Sequence, residues 1–220
     1  MPDTIDTLLL LALPASGKSE IRRYLEQLAP DVAAEDLHLG PTVQLDDYPY
    51  VHMMRRISQE LTDMGGDPVL FADGASSFAE PRDWGTLIRL LNEDYELLGG
   101  TPVRPQSAAI WLFDRFDRAR KAVGVSPALS MLPDQTRERL AAALEGEADE
   151  LWTQLAASVE SWSDGDTVVI EFARGGPEGA AMPLTPPYGY AYSLGQLSEE
   201  MVARSSILYV WVTPEESRRR

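Results

Sequence analysis

The sequence predicts an α/β domain: a central, mostly parallel β-sheet between two helical layers, with a long helical insertion between the second and third core strands. Three observations carry this expectation. Thr7 to Leu13 and Thr167 to Ala173 are nearly continuous apolar runs, the pattern of parallel strands covered on both faces. The first run passes through a small-residue turn directly into an amphipathic helix. From Pro81 to Trp162 the apolar residues recur only at helical spacing.

The elements follow in order. Thr7 to Leu13 is the first strand, ended by Pro14. Ile21, Tyr24, Leu25 and Leu28 mark the helix after it, and Pro30 stops the pattern. A second short strand is expected at Thr42 to Leu45, running into Asp46, Asp47, Tyr48 and Pro49. Val51, Met54, Ile57, Leu61 and Met64 then trace a helix that ends at Gly65 and Gly66. Asp73 and Gly74, between Val69–Ala72 and Ser77–Ala79, read as a small hairpin or as the end of a core strand. Three helical segments fill the insertion, separated by Gly and Pro breaks at 99–105 and 124–133. Core strands resume at Thr167 to Ala173 and Ile207 to Val212, with a short helix around Leu197 to Val202. Thr213, Pro214 and Glu216 form a helix-start signal. Because the chain stops soon after it, the sheet is expected either to lack its last strand or to continue in a longer chain.

With 220 residues and 44% hydrophobic content, one domain with an insertion is expected, divided into residues 1–50, 51–165 and 166–220. The first and last parts make the core, and the middle is the mainly helical, substrate-side insertion. A net charge of −16 repels nucleic acids and anionic membranes, which leaves small molecules or proteins as partners. The absence of cysteine excludes disulfides, thiol nucleophiles and thiolate metal sites, and it fits a reducing compartment. Leu8 to Leu13 is too short to span a bilayer, and Asp3 and Asp6 stand where a secretory signal is positive, so a cytoplasmic protein is expected. His38 and His52 are the only imidazoles, too few for most zinc sites.

Ala12, Leu13, Pro14, Ala15, Ser16, Gly17, Lys18 and Ser19 fit the pattern G/A, four residues, G, K, S/T, the Walker A phosphate cradle. Gly17 and its neighbours let the backbone turn successive N–H groups toward phosphate oxygens, and the following helix adds its positive end. Lys18 supplies a charge for the β and γ phosphates, and the Ser19 hydroxyl suits Mg²⁺. Ala12 stands where glycine is commonest.

On these residues, on the acidic pair after the second strand and on the strand order around the insertion, the chain resembles the P-loop nucleoside triphosphatases, and among them the kinases of nucleosides, nucleotides and similar metabolites. The resemblance implies a P-loop-like three-layer fold, ATP or another nucleoside triphosphate held by Pro14, Ala15, Ser16, Gly17, Lys18 and Ser19, and Mg²⁺. It also implies a carboxylate after the second strand that orients the metal or accepts the acceptor's proton. Asp46 matches that place, with Asp47 beside it, although Asp-Asp-Tyr-Pro is also good turn chemistry. Glu171, closing an otherwise apolar strand, resembles the acidic residue of a Walker B strand and would hold Mg²⁺ through water; it reads equally as an edge-facing or arginine-paired glutamate. Arg174 could neutralise it or a substrate phosphate. Arg218, Arg219 and Arg220 fall where such kinases carry an arginine lid, or form a solvated basic tail. Tyr188, Tyr190 and Tyr192 either stack on a ring or belong to a surface linker, and Arg55 and Arg56 read as a solvated face.

Three functions follow: a kinase with Lys18 and Asp46 as its catalytic pair and Ser19, Asp46 and Glu171 as metal ligands; an ATP-dependent regulatory ATPase or switch; or a silent nucleotide-binding module. A GTPase is disfavoured, because the one asparagine, Asn92, precedes Glu93 rather than the lysine of a guanine-reading segment.

Overall fold

The structure, a computed structural model, describes residues 4–13, 16–72, 78–173, 175–176, 181–213, 215 and 219. Its elements in chain order are β1 (Thr7–Ala12), α1 (Lys18–Gln27), α2 (Pro30–Leu37), β2 (Thr42–Asp46), α3 (Tyr48–Asp63), α4 (Asp83–Leu97), α5 (Ala108–Ala122), α6 (Asp134–Ser161), β3 (Thr167–Glu171), α7 (Tyr190–Leu194), α8 (Glu199–Arg204) and β4 (Ser205–Val210). The four strands form one all-parallel sheet in the order β2-β3-β1-β4.

The period of two along β1 sorts its side chains between two layers. Leu8 and Leu10, with Val169 of β3, pack against Leu25, Ala33 and Leu39 under α1 and α2. Leu9 and Leu11, with Ile170 and Phe172, pack against Ile88, Leu91 and Tyr95 of α4. Each buried leucine contributes about 1.5–3 kcal/mol, which is why the central strand carries four in succession. Gly40 lies so close to Gly165 that a Cβ would sit 1.9 Å from its carbonyl oxygen, so no larger residue fits where the chain enters β2.

The expected insertion lies between β2 and β3, as α3 to α6. Its α4 serves two cores at once. Ile88 and Leu91 face the sheet, while Leu87 and Leu90 join Met54, Ile57, Phe113 and Leu144 in the helical cluster. The middle segment therefore supplies one of the three layers rather than sitting apart from them. Inside the cluster, Arg115 is buried, and its guanidinium donates to Glu93 and Asp94 at 2.7 Å each and to the Tyr50 hydroxyl at 2.9 Å. Arg120 likewise reaches buried Asp83 at 2.7 Å.

Several local expectations need correction. The first helical pattern does stop before Pro30, with α1 ending at Gln27, but a second helix was missed: Pro30 occupies the first turn of α2, where its missing N–H costs nothing. Asp-Asp-Tyr-Pro is not a turn but the start of α3, with Asp47 at the N-cap position and Pro49 in the first turn. The segment after β3 is not all loop, since Tyr190–Leu194 is α7. The hairpin is represented by a single antiparallel bridge, Phe71 to Phe78; Asp73 and Gly74 lie outside the described residues. β4 is an edge strand rather than a buried one, and Ile207 and Tyr209 are about half exposed. Beyond it, Glu215 and Arg219 have helical backbone, in line with the start signal at Thr213, whereas Pro214 and Glu216 lie outside the described residues.

Candidate phosphate-binding site

β1 ends at Ala12, and α1 begins at Lys18 with Gly17 as its N-cap. Gly17 has φ of 92°, a left-handed conformation that glycine adopts without the Cβ penalty. The turn thereby places the helix start, with its unpaired N–H groups, over the carboxyl end of the sheet, where open α/β folds bind ligands. A cavity of about 320 Å³ opens there, lined by Ser16, Gly17, Lys18, Ser19, Glu20 and Glu171. Two oxygens on its lining are buried without a hydrogen-bond partner, Ser16 Oγ and Glu171 Oε2. Buried polar atoms are nearly always satisfied, so this pair makes the cavity a candidate for a bound group.

The acidic side of the site comes from two adjacent strands. Parallel register sets Asp46 of β2 opposite Glu171 of β3. Lys18 Nζ stands 3.7 Å from Glu171 Oε1. One turn further along α1, Arg22 donates to Asp46 Oδ2 at 2.8 Å and lies 3.5 Å from Glu171 Oε2. The other Asp46 oxygen accepts the Tyr48 N–H at 2.8 Å, which fixes the carboxylate at the start of α3. The four charges of Lys18, Arg22, Asp46 and Glu171 balance, so the site holds together without ligand. Burial raises the Glu171 carboxyl above its ordinary range, against the lowering pull of Lys18, while Asp46 adds to the rise and Arg22 opposes it.

Asp47 plays a different part from its neighbour. It is buried, its Oδ2 accepts the Ala173 N–H at 2.8 Å, and its own N–H donates to the Glu171 carbonyl at 3.3 Å. It thus staples the end of β2 to the chain leaving β3. Burial pushes its carboxyl up to about 7, opposed by the Ala173 N–H and aided by the charge of Asp46.

The sequence-expected residues divide accordingly. Ser16, Gly17, Lys18, Ser19 and Glu171 line one cavity, and Asp46 joins them through Arg22 and its register partner. Pro14, Ala15, Arg174, Arg218 and Arg220 lie outside the described residues, and Arg219 is exposed. Arg56 does not simply face solvent: it pairs with Glu147 at 3.0 Å, and His52 lies 3.3 Å from the same carboxylate. Arg55 lies over the Phe71 ring at 4.6 Å. Two of the tyrosines have internal partners. The Tyr190 hydroxyl donates to the Ala12 carbonyl at 2.7 Å and accepts the Ala12 N–H at 2.9 Å, and the Tyr192 hydroxyl reaches the Arg82 carbonyl at 3.4 Å.

Two residues of the candidate site were missed. Arg22 had a readable signal, because it is four residues after Lys18 and so shares its helix face. Tyr190, 178 residues from Ala12 in the chain, had none.

The residues fit a magnesium nucleotide. Among the described residues no group of three or more His, Asp or Glu is arranged to hold a metal by itself. Mg²⁺ needs no such cage, being bound through one or two carboxylates, a hydroxyl, waters and phosphate oxygens. Ser19, Asp46 and Glu171, whose Oε2 accepts no hydrogen bond, offer that set. Among the described residues no helix is long and apolar enough to cross a membrane. No family model, no curated protein and no solved structure matches this chain.

Proposed function

We propose that this chain binds a nucleoside triphosphate, ATP in the first instance, with Mg²⁺ and transfers the γ-phosphoryl group to a small molecule. One observation carries the reading: a glycine-shaped turn, Lys18 and Ser19 meet two carboxylates from adjacent parallel strands around two buried oxygens that accept no hydrogen bond. Lys18 exchanges Glu171 for the β and γ phosphates, and N–H groups at the start of α1 donate to them. Mg²⁺, when bound, neutralises charge between the phosphates, with Ser19, Asp46 and Glu171 as its residues. Arg22 keeps the Asp46 carboxylate oriented.

Transfer then has a complete balance. The acceptor oxygen bonds to the γ phosphorus as the bond from that phosphorus to the β–γ bridging oxygen breaks. The acceptor's hydroxyl proton passes to Asp46, and the nucleoside diphosphate leaves with the bridging oxygen. The strongly acidic surface suits a small-molecule enzyme of the cytoplasm rather than a nucleic-acid or membrane protein.

Incubation with Mg·ATP and pools of small acceptors tests this. Acceptor-dependent ADP release supports transfer. Acceptor-independent release would instead identify a regulatory ATPase, and binding without release a silent module. Asp46→Asn is expected to lower transfer at least a hundredfold while ATP still binds; unchanged transfer would remove Asp46 from the role of base.

A further inference from the structure

A second cavity, of about 170 Å³, borders Asp46 between β2, the start of α3, α4 and the face of α6. Its polar lining is Gln44, Asp46, Tyr50, Asp94, Gln154 and Ser158, over an apolar floor of Leu45, Leu151 and Leu155. Asp46 therefore borders this cavity while its register partner Glu171 borders the phosphate cradle. A molecule seated here lies against the proposed base and outside the lining of the cradle.

The lining selects the chemistry of that molecule. It contains no lysine, arginine or histidine, so a phosphate or carboxylate group would enter with nothing to neutralise it. A cation is not favoured either, because in the reading above Asp46 already serves Mg²⁺ and the other carboxylate, Asp94, is already engaged. Asp46 is held by Arg22 and the Tyr48 N–H. Asp94 accepts from the Tyr50 hydroxyl at 2.6 Å and from Arg115 at 2.7 Å. What remains is a balanced polar surface of amides, hydroxyls and carboxylate lone pairs. Gln44 adds a buried Nε2 with no hydrogen-bond partner, a donor in want of an acceptor. An ammonium has no lone pair to offer it, whereas a hydroxyl both donates and accepts. A cavity of about 150 Å³ accommodates benzene, so this one takes roughly six to eight non-hydrogen atoms, with its open side admitting a larger remainder.

We propose that the acceptor is an uncharged polyhydroxylated small molecule, a polyol or sugar, bound between β2 and α6, and not a phosphate monoester such as a nucleotide. The proposal rests on the phosphotransferase reading above. The test uses the full chain with Mg²⁺ and a non-hydrolysable ATP analogue, titrated by ligand-observed NMR with glycerol, erythritol, ribose, glucose and inositol. Glycerol 3-phosphate, ribose 5-phosphate and ethanolamine are the comparison probes. At least one polyol is expected to bind, with its phosphate ester at least tenfold weaker. Ser158→Phe, which fills the cavity from α6, is expected to abolish polyol binding while Mg·ATP affinity stays within twofold. Gln44→Leu is expected to weaken it about five- to tenfold. Should Ser158→Phe not fold, Gln154→Leu on the same helix gives the same direction. Tighter binding of a phosphate ester or of ethanolamine, polyol binding indifferent to these variants, or no bound polyol would overturn the proposal. Nucleotide affinity is measured separately. Its absence defeats the phosphotransferase reading and this proposal together, whereas intact Mg·ATP binding with a failed panel defeats only the acceptor class.

Discussion

Replacing Asp47 by Asn should stabilise the protein at alkaline pH and leave it nearly unchanged in acid. The carboxyl is buried at the junction of β2 and β3 and titrates near 7 in the fold, against 3.8 when free. A carboxyl raised in this way makes the folded state hold its proton more tightly than the unfolded chain does. Below pH 4 both states are protonated, and there is no penalty. Between pH 4 and 7 the unfolded chain releases its proton first, so stability falls as pH rises; above 7 the penalty is complete. The distance from 3.8 to about 7, at about 1.4 kcal/mol per pH unit, is about 4 kcal/mol. Asn keeps a carbonyl oxygen for the Ala173 N–H but carries no charge to bury. Urea unfolding of both proteins at several pH values from 4.5 to 8.5 is the assay. The variant is expected to gain 2–4 kcal/mol at pH 8.5 and only about 1 kcal/mol at pH 4.5, where the folded carboxyl still keeps its proton. A difference that is independent of pH, or a variant that is less stable at pH 8.5, would refute the reasoning.

Other perturbations probe separate parts of the account. Tyr190→Phe removes the hydroxyl that satisfies both backbone groups of Ala12 and should cost about 1–3 kcal/mol, a melting-temperature drop of about 2–10 °C. It should also weaken Mg·ATP binding, because the cradle starts at that residue; calorimetry on the variant checks this, and unchanged affinity would make Tyr190 a stability residue only. Arg115→Leu leaves Asp94 buried without its cation and should destabilise by about 3–5 kcal/mol in chemical denaturation. Adding Asp94→Leu to it should recover a large part of that loss, and a purely additive second loss would speak against the pairing.

How far the sequence was legible depended on how local the cause was. β1 and β3 were readable because burial on both faces leaves an apolar run, closed in β3 by Glu171, and β2 because it alternates, with Val43 and Leu45 buried between half-buried Thr42, Gln44 and Asp46. The turn proposed as a cradle is local in the sequence, because Gly17, Lys18 and Ser19 are consecutive. β4 misled for the same reason that β1 did not. Ile-Leu-Tyr-Val-Trp-Val, residues 207–212, has the composition of a buried strand, and periodicity does not reveal that β4 is the edge strand among the described residues, with Ile207 and Tyr209 exposed. Pro30 misled because proline both stops one helix and starts the next, and only the chain's return toward the sheet decides which. Asp46 and Asp47 look alike in sequence, yet one faces Arg22 on α1 and the other is buried against Ala173. That difference arises from β3, more than a hundred residues away. The second cavity was invisible for the same reason, since it joins β2, α4 and α6.

The central claim is that the turn from Ser16 to Ser19 holds a triphosphate. Titration calorimetry of the intact protein with ATP in the presence of Mg²⁺ tests it directly, with Lys18→Ala as the control. The account expects one site per chain with micromolar affinity, weakened at least tenfold by Lys18→Ala while the fold is retained. No heat of binding with ATP or GTP, or equal binding by the Lys18→Ala variant, would contradict it.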